Sequence, residues 1–341
     1  MCVKNIAIIG TGWYGLHAAN KLKARHNITL IDKASTILSG ASGYNQNRYH
    51  LGYHYPRSKY TREMCMLNST QFYQDYGTVI STFKKNYYAI SDKSIIDYGT
   101  YLDIYSDAKY DHRIVQNTFL NNIQGNIIET SEKVIDVNVV KKYFNNMLSH
   151  NNITLILDHN IEKYGTCVSL DKDYDLVLDC TNNQLGLNGS KNNYELTISL
   201  VYNRLNRSDN FNALTVMDGP FFSLYPTSNK MDTYTLTHVT YTPLLRTQSL
   251  QDILNYNLTE NKLKDIINNI VQEVKFIFPE FEQFFEYSKH FISLKCINEN
   301  PAAERLCNIT TPHKNIVSVN CGKIVGIYEF EKYLKNVLKL F

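Results

Sequence analysis

The amino-acid sequence predicts an α/β protein with two lobes, one built on parallel strands and helices and the other on a mixed sheet. Three observations predict it. A short apolar run at the N-terminus is followed by a glycine-rich turn and a helical stretch, the pattern of a β-α-β unit. Segments in the middle of the chain are rich in Tyr, Thr, Val and Ile with frequent alternation. The length of 341 residues exceeds the size at which single cores stop growing, although one large domain with an insertion is the alternative.

Composition narrows the class of protein further. The hydrophobic fraction of 43% and the charged fraction of 20% are ordinary for a globular protein, and a net charge of +3 indicates neither nucleic acid nor an anionic membrane as a partner. The 7 cysteines are scattered without a C-x-x-C pair, so they indicate a reducing, cytoplasmic setting rather than a disulfide framework or a zinc site. No secretion signal or membrane span is predicted. The sequence leaves the oligomeric state open.

The N-terminal β-α-β unit carries a nucleotide-binding pattern. Strand residues Asn5 to Ile9 lead into Gly10-Thr11-Gly12-Trp13-Tyr14-Gly15 and a helical stretch that reaches about Arg25. A second strand from Ile28 to Ile31 ends at Asp32, which lies 22 residues after Gly10. This order and spacing match the dinucleotide fingerprint of a Rossmann fold.

Each position in this fingerprint has a physical task. Gly10 permits the tight turn, Gly12 lets the backbone approach a diphosphate, and Gly15 lets the helix pack closely on the strand. We expect Trp13 and Tyr14, which begin the helix, to belong to the same site, because free N–H groups at a helix N-terminus bind phosphate. The Asp32 carboxylate accepts hydrogen bonds from ribose hydroxyls and repels a 2′-phosphate, so NADP is disfavoured.

The fingerprint alone does not separate NAD from FAD, and the segment after Asp32 makes that distinction. Where a simple NAD domain holds a crossover helix, residues 39–58 form a small-residue loop followed by an Asn/Gln/His-rich stretch. Asp32-Lys33 followed by Gly40-Ala41-Ser42-Gly43 and Asn45 resembles the D-amino-acid oxidase superfamily of FAD-dependent oxidoreductases, the glutathione-reductase-2-like Rossmann flavoproteins. The resemblance implies FAD as the cofactor. It places the Gly-x-Ser loop near the pyrophosphate and ribityl chain, and we include Gln46, Asn47 and Arg48 in the cofactor site.

The resemblance extends to the middle and the end of the chain. Residues Tyr174 to Thr181 look like the returning strand of the family, which usually ends in Ala-Thr-Gly, although Asn182 replaces the glycine here. Ile161 falls where the family places an apolar residue whose backbone meets the adenine, and an ordinary core isoleucine is the alternative. Near the C-terminus, Gly322-Lys323-Ile324 resembles the glycine turn that brings a helix N-terminus to the pyrimidine end of the flavin.

The remaining sequence supplies the other elements. We predict an amphipathic helix over Asp136 to Ser149, strands within Phe83 to Tyr105, Tyr194 to Leu205 and Leu214 to Leu244, and a helical region over Leu250 to Phe276. The resemblance then implies a discontinuous FAD-binding domain over residues 1–82, 132–190 and 296–341. Residues 83–131 and 191–295 form the predicted substrate domain, which is of mixed-sheet α+β type.

Residues Arg48 to Tyr55 carry candidate chemistry. If this segment is extended, Arg48, His50, Gly52 and His54 share one face, and such a face beside the flavin binds an anionic substrate or steadies negative charge on the flavin. Histidines that only hydrogen-bond the backbone are the alternative. A metal site is not predicted, because a third ligand at matching spacing is missing from the sequence pattern.

Further candidates lie in the second half of the chain. Tyr225 faces the flavin or serves as ordinary sheet packing, and Arg305 clamps a substrate carboxylate or forms a surface ion pair. A cation at the start of a helix is electrostatically unfavourable, so Lys323 favours a cofactor role. Cys307 and Cys321 are expected to be buried apolar thiols rather than sites of covalent flavin attachment.

The sequence therefore predicts an enzyme, an FAD-dependent oxidase or dehydrogenase. It oxidises a C–N or C–O bond of a small polar or anionic substrate by hydride transfer to flavin N5. A non-redox flavoenzyme, such as a mutase or group-transfer enzyme, and a flavin-containing binding protein are the alternatives. A plain NAD dehydrogenase competes at the level of the cofactor.

Overall fold

The structure is a computed structural model, and it describes residues 2–83, 85–149, 152–164, 167–187, 193–205, 213–297, 307–336 and 339. Within these ranges the strands form two large sheets of six and nine strands, and two small sheets of two and three strands. The predicted α/β class, with a parallel and a mixed component, is confirmed. None of the helices in the described ranges is long and apolar enough to cross a membrane.

The six-stranded sheet contains the strand that leads into the glycine turn of the predicted nucleotide-binding pattern. All neighbouring strands in it pair in parallel except the first, which is antiparallel to the second. The inner strands of a parallel sheet are buried on both faces, and Leu176–Asp179, Asn5–Ile9 and Asn27–Ile31 are accordingly rich in Ile, Val and Leu and almost wholly buried. The strand order across the sheet is Cys307–His313, Ile316–Cys321, Leu176–Asp179, Asn5–Ile9, Asn27–Ile31 and Ile153–Ile156.

Helices pack against this sheet through apolar side chains. Helix Trp13–Leu22 follows the first strand, and Asp136 caps helix Val137–Leu148 by accepting hydrogen bonds from the N–H groups of Asn138 and Val139. Both helices join one apolar core with the C-terminal helix Ile327–Asn336. Burying these amphipathic faces fixes where each helix lies on the sheet.

The nine-stranded sheet is mixed, because one of its pairings is parallel and the others are antiparallel. Helix Glu260–Ile277 packs its apolar face into the core of this sheet. Along the main path the order is Pro243–Thr247, Asn193–Arg204, Thr233–His238, Phe222–Pro226, Ala213–Met217, Asn86–Ser91, Ile123–Thr130 and His112–Val115. Strand Phe285–Ile297 also pairs with Asn193–Arg204.

Smaller elements connect the two large sheets. The three-stranded sheet is Arg48–Tyr49, Lys133–Ile135 and Ile80–Ser81, and the two-stranded sheet is Lys163–Tyr164 and Cys167–Val168. The other helices are Lys59–Tyr76, Tyr98–Asp107, Leu250–Leu254 and Phe281–Phe284, with single 3₁₀ turns at Gly77–Val79 and Ile324–Gly326. Strand Arg48–Tyr49 follows the loop after Asp32 and brings Arg48 next to Ser223 of the nine-stranded sheet.

Two secondary-structure predictions are wrong. The predicted strand region Phe83 to Tyr105 ends in helix Tyr98–Asp107, because Asp97 caps it by accepting a hydrogen bond of 2.7 Å from the Thr100 N–H. The single helical region predicted from Leu250 is two helices, since Thr259 starts a new helix by accepting a hydrogen bond from the Lys262 N–H. The domain boundaries given above stay a prediction.

Candidate functional site

One large cavity lies between the two large sheets, with a volume of about 1770 Å³. It is lined by residues at the carboxyl ends of the parallel strands and, from the other side, by residues of the mixed sheet. Typical small-molecule pockets measure roughly 300–1,000 Å³, so this cavity has room for an extended ligand and a second, smaller one. The carboxyl edge of a parallel sheet is also where open α/β folds bind ligands.

The glycine turn forms one end of the cavity. Gly10 has a φ of +100°, and a Cβ there would lie 2.7 Å from the carbonyl oxygen of Cys180. Gly12 is the N-cap of helix Trp13–Leu22, which has no side-chain cap and no acidic residue in its first turn. The Trp13 N–H donates to Ser42 Oγ at 3.1 Å, which brings the Gly-x-Ser loop against this turn. The positive end of the helix dipole thus faces the cavity, as an anion site requires.

Asp32 stands beside this turn at the end of the second strand. Its Oδ2 accepts hydrogen bonds from the N–H and the hydroxyl of Thr11, at 2.6 and 2.7 Å, and its Oδ1 accepts one of 2.9 Å from the Ala34 N–H. A carboxylate offers about four acceptor positions, so these three bonds orient Asp32 and leave capacity for a ribose hydroxyl. The side chain lines the cavity.

A cluster of charged and aromatic side chains forms another part of the cavity wall. Arg48, which is 6% exposed, donates from Nη2 to Glu132 Oε2 at 2.9 Å and to the Tyr88 hydroxyl. Its Nη1 lies 3.3 Å from Ser223 Oγ and 3.4 Å from His54 Nδ1. These contacts hold the guanidinium in one orientation at the junction of the two sheets.

Glu132 supports the Arg48 loop from below. Only 1% of this residue is exposed, and its Oε1 accepts hydrogen bonds from the backbone N–H groups of Leu51 and Gly52, at 2.9 and 3.3 Å. The Tyr88 hydroxyl donates to Oε2 at 2.6 Å. Burial raises the pKa of Glu132, but the Arg48 charge and the hydrogen bonds outweigh it and hold the pKa well below its usual range. Glu132 is therefore ionised and neutralises Arg48.

The other titratable groups around Arg48 are shifted toward their neutral forms. Burial, with the charge of Lys323, lowers the pKa of His50 to about 3, and burial beside Arg48 lowers that of His54 well below its usual value. Burial and Arg48 lower the pKa of Lys323 to about 7, and its Nζ lies 4.5 Å from the ring centroid of Tyr55. At neutral pH the cluster contains a permanent guanidinium, a partly charged amine, neutral imidazoles and a carboxylate. The balance favours a bound anion.

The segment Arg48 to Tyr55 is extended only at its start. Strand structure stops after Arg48–Tyr49, and Gly52 turns the chain with a φ of +118°. A Cβ on Gly52 would lie 2.6 Å from the Tyr110 hydroxyl oxygen, so this residue faces away from the cavity. The turn still brings His50 and His54 together, with ring centroids 5.8 Å apart.

Most of the residues predicted for the site line this one cavity. Gly15 does not, because it packs under the turn, where a Cβ would lie 1.9 Å from the Gly10 carbonyl oxygen. Arg305 lies outside the described residues. The predicted residues that line the cavity are Gly10, Gly12, Trp13, Tyr14, Asp32, Lys33, Gly40, Ala41, Ser42, Asn45, Gln46, Asn47, Arg48, His50, His54, Ile161, Thr181, Gly322, Lys323 and Ile324.

Tyr225 requires a correction, because it is fully buried and does not line the cavity. The Arg48 guanidinium carbon lies 4.6 Å from the centroid of its ring, and Asn86 Nδ2 donates to its hydroxyl at 3.0 Å. Ser223 lies two residues earlier on the same face of the strand and lines the cavity, whereas Tyr225 lies further along that face, against Arg48. Tyr225 is thus a support for Arg48 and is not placed to touch a substrate.

Asn182 stands where the family that the sequence resembles usually has a glycine, and the chain still turns at this residue. Its φ is +56°, in the left-handed region that asparagine tolerates better than most residues. The Thr181 hydroxyl donates to Asp179 Oδ1 at 2.6 Å, and Ser318 donates to the other oxygen of Asp179 at 2.7 Å. Thr181 therefore reaches the cavity with a fixed orientation. Ile161 is 6% exposed and packs with Ile9, which is compatible with both interpretations given above.

The residues of the cavity fit a bound flavin dinucleotide. Arg48 Nε and His50 Nδ1 are buried and have no hydrogen-bond partner among the described residues, and the closest carboxylate oxygen to His50, Glu132 Oε1, is 3.8 Å away. Buried polar atoms are almost always paired, so a missing partner at a cavity wall points to a ligand. The Gly12 end of helix Trp13–Leu22, with no acidic residue in its first turn, and Asp32 line the same cavity and fit the other end of the same molecule.

Sequence reasoning missed Glu132, Tyr88 and Ser223, which complete the Arg48 cluster. No spacing or motif links them to Arg48, since each lies on a different strand or connection of the mixed sheet. Glu132 is one of several polar residues in this region, with Gln124, Asn126, Glu129 and Lys133, so the sequence pattern does not single it out. Cys307 and Cys321 lie opposite each other on antiparallel strands, and Cys321 lines the cavity.

Comparisons with known proteins agree with this geometry. No protein-family model matches the chain. The chain is 27% identical over 334 residues to a protein of Fusarium mangiferae named FAD-dependent monooxygenase FPY4, covering 95% of this chain and 88% of that protein. It is also 36% identical over 85 residues to FAD-dependent monooxygenase kojA of Aspergillus flavus, which covers 25% of this chain and 20% of that protein.

Solved structures share the fold at low sequence identity. Glycine oxidase from Geobacillus kaustophilus superposes with a TM-score of 0.70 at 11% identity, covering 100% of this chain and 95% of that chain. Glycerophosphate oxidase from Mycoplasma pneumoniae, solved with FAD bound, superposes with a TM-score of 0.68 at 12% identity. The match covers 100% of this chain and 95% of that chain. The amino acid oxidase NikD superposes with a TM-score of 0.70 at 10% identity, and the match covers 96% of this chain and 92% of that chain. The predicted fold is confirmed, and the predicted FAD dependence agrees with the relatives' names.

Proposed function

We propose that this chain, which has the fold of the D-amino-acid oxidase superfamily, is an FAD-dependent oxidoreductase that oxidises a C–N or C–O bond of a small anionic substrate. One observation carries the proposal. A single cavity runs from the glycine turn and Asp32 to the Arg48, His50, His54 and Lys323 cluster. It joins a diphosphate-type site to a cationic, water-excluding pocket, and the sequence relative over most of the chain is named for FAD.

The chain's own residues hold the two ends of the cofactor. Gly10 and Gly12 would let the backbone approach the diphosphate, and Asp32 would accept hydrogen bonds from the ribose hydroxyls. Ser42, which contacts the Trp13 N–H, would lie next to the diphosphate. Arg48 and Lys323 lie where negative charge on the distal ring or on the substrate is stabilised. When bound, FAD supplies the redox chemistry by taking a hydride from the substrate at N5.

Lys323 is the residue best suited to move a proton. Its pKa of about 7 makes it comparably populated as amine and ammonium at neutral pH, the condition for efficient general acid–base catalysis. His50, with a pKa of about 3, is a weak base that stays neutral and serves as a hydrogen-bond partner. Arg48, fixed by Glu132 and Ser223, orients an anionic group of the substrate.

A monooxygenase is the second candidate function, because the relative from Fusarium mangiferae carries that name. A monooxygenase needs an external reductant and inserts one oxygen atom from O₂ into its product, whereas an oxidase or dehydrogenase takes electrons from the substrate itself. Consumption of a reduced nicotinamide together with ¹⁸O incorporation from ¹⁸O₂ identifies the monooxygenase.

The test begins with the cofactor of the purified protein. We expect yellow protein whose released flavin is FAD, and an Asp32→Ala variant that retains FAD poorly, because a partly buried charge-assisted hydrogen-bond network is lost. Asp265→Ala is the matched control, since this exposed aspartate of helix Glu260–Ile277 lies outside the cavity. Anaerobic mixing with panels of amino acids, hydroxy acids, nucleotide sugars and nucleosides then reports the substrate by bleaching of the flavin absorption.

Several results contradict the proposal, each in its own way. Colourless protein that takes up no flavin removes the cofactor and leaves a nicotinamide enzyme to be tested. Turnover without consumption of an electron acceptor indicates a non-redox flavoenzyme. Flavin that no substrate and no reduced nicotinamide bleaches indicates a binding protein.

A further inference from the structure

Three apolar residues lie near one another along the wall of the cavity. Ile95 and Val239 are 61% and 59% exposed, whereas Phe221 is 8% exposed. A Cβ on Gly219 would lie 3.6 Å from Ile95 Cγ1 and 3.3 Å from Phe221 Cε2, so these two side chains flank the same glycine. The Val239 N–H donates to the Phe221 carbonyl at 2.9 Å. We call Ile95, Phe221 and Val239 the apolar rim.

The apolar rim lies close to the cationic pocket along one strand. Phe221 immediately precedes strand Phe222–Pro226, and two residues further on Ser223 Oγ accepts from Arg48 Nη1 at 3.3 Å. Two residues of extended chain cover roughly 7 Å. A ligand held by Arg48 therefore reaches the rim with a short chain of atoms.

The charge beside the rim is already neutralised. Arg57 Nε contacts Asp218 Oδ2 at 2.5 Å, and both residues line the cavity. Deep in the pocket Arg48 is paired with Glu132, and the positive charge that remains there is that of Lys323, while the mouth offers apolar surface. Single exposed apolar residues are ordinary, but a contiguous set at the edge of a ligand cavity is typical of a binding surface.

From this arrangement we propose that the substrate is amphipathic: its anionic group binds at Arg48 and Lys323, and an aliphatic or aryl portion lies against the apolar rim. The inference rests on the proposed function and adds the substrate class. It separates substrates with an apolar tail from short, wholly polar acids, which leave Ile95 and Val239 in water.

The test is calorimetric titration of the FAD-loaded protein with straight-chain carboxylates from acetate to octanoate. We expect Kd to fall roughly twofold to fourfold per added methylene, because each buried methylene contributes favourable transfer free energy. In the double variant Ile95→Ser, Val239→Ser we expect that dependence to become nearly flat, with the affinity for acetate unchanged. The control is Ile114→Ser, Val139→Ser, which replaces exposed residues of the same types outside the cavity and keeps the dependence.

Two outcomes overturn the inference. A Kd that does not change with chain length in the unaltered protein shows that the rim contributes no binding. A chain-length dependence that survives in the rim variant places the apolar tail elsewhere. Flavin content is measured independently, from the absorption spectrum, and a protein without FAD contradicts the proposed function. The dependence of Kd on chain length tests only the role of the rim. Melting curves of both double variants verify that they are folded.

Discussion

The glycine turn and the Arg48 cluster lie in the same cavity, yet they are built in opposite ways. Nearly every part of the glycine turn, from Gly10 to Asn45, comes from one short stretch of chain. The Arg48 cluster draws on segments as distant as Glu132, Ser223 and Lys323. The first depends on backbone conformation, which a local pattern specifies. The second depends on which side chains neutralise a buried charge, which only packing decides.

The energetic consequences differ accordingly. At the glycine turn a substitution fails because of a steric clash with the backbone, whatever the charge of the new residue. In the Arg48 cluster a substitution fails because a buried charge loses its partner, whatever the size of the new residue. The following variants test that contrast, beginning with the largest expected effect.

Replacing Glu132 is expected to have the largest effect. Glu132→Leu leaves the Arg48 guanidinium buried without its carboxylate, which costs about 3–5 kcal/mol of unfolding free energy. The matched control is Glu129→Leu, which removes the partner of the largely exposed Arg113 and costs about 1 kcal/mol or less. Chemical denaturation of the four proteins, including Glu132→Gln, measures the difference.

Equal destabilisation by the Glu129 and Glu132 variants would show that burial of the Arg48 pair adds nothing. Glu132→Gln keeps a hydrogen-bond acceptor and removes the charge, so it separates the two contributions. We expect it to fall between the unaltered protein and Glu132→Leu.

Gly15→Ala tests the steric side of the contrast. Alanine inside a helix is normally about 1 kcal/mol more favourable than glycine. Here its Cβ would lie 1.9 Å from the Gly10 carbonyl oxygen, so we expect a net loss of about 2–3 kcal/mol and poor FAD retention. Gly77→Ala is the control, because Gly77 lies outside the cavity and the nearest atoms to a Cβ there, those of the Tyr73 ring, are 3.8 Å away. Thermal melting with flavin absorption checks both, and a neutral Gly15→Ala would refute the close packing.

The smallest effect concerns the pH dependence of anion binding. Burial and Arg48 lower the pKa of Lys323 to about 7, so its positive charge is present below that pH and lost as the pH rises through it. We expect the affinity for acetate to fall about fivefold between pH 6 and pH 8, corresponding to roughly 1 kcal/mol of lost attraction. Titration calorimetry at several pH values measures it.

Lys323→Met should bind acetate weakly and with little pH dependence over this range. Lys59→Met, at a lysine whose side chain is 79% exposed, should behave like the unaltered protein. A pH dependence that persists in Lys323→Met would assign the titration to another group.

Much of the nucleotide half was predictable from the sequence. The strand, turn and helix order from Asn5, and Asp32 at the end of the second strand, are local patterns whose geometry follows from backbone sterics and hydrogen bonding. Helix Val137–Leu148 was equally predictable, because its apolar period and its Asp136 cap agree. The strand predicted through Tyr105 is wrong at its end, because the Asp97 cap starts a helix in a segment rich in β-favouring tyrosines.

The candidate chemistry was predictable only in part. The grouping of Arg48, His50 and His54 emerged from alternation, although the chain turns at Gly52 instead of extending. Tyr225 was expected near the flavin, yet the sheet puts it beneath Arg48. Residue type does not reveal how far along a buried strand a cavity extends: Ser223 and Tyr225 share one face of strand Phe222–Pro226, and of these two only Ser223 lines the cavity.

By itself the sequence determined the Rossmann half, the resemblance to FAD-dependent oxidoreductases and most of the residues that surround the cofactor cavity. Those features depend on contacts between residues close in the chain, where spacing fixes geometry. Only the tertiary structure decided that Glu132 neutralises Arg48 and that Lys323 lies close enough to Arg48 for the guanidinium charge to lower its pKa. It also decided that Ile95 and Val239 line the cavity. Such pairings are set by the packing of distant strands, since desolvation and Coulomb energy depend on distance in space and not on separation along the chain.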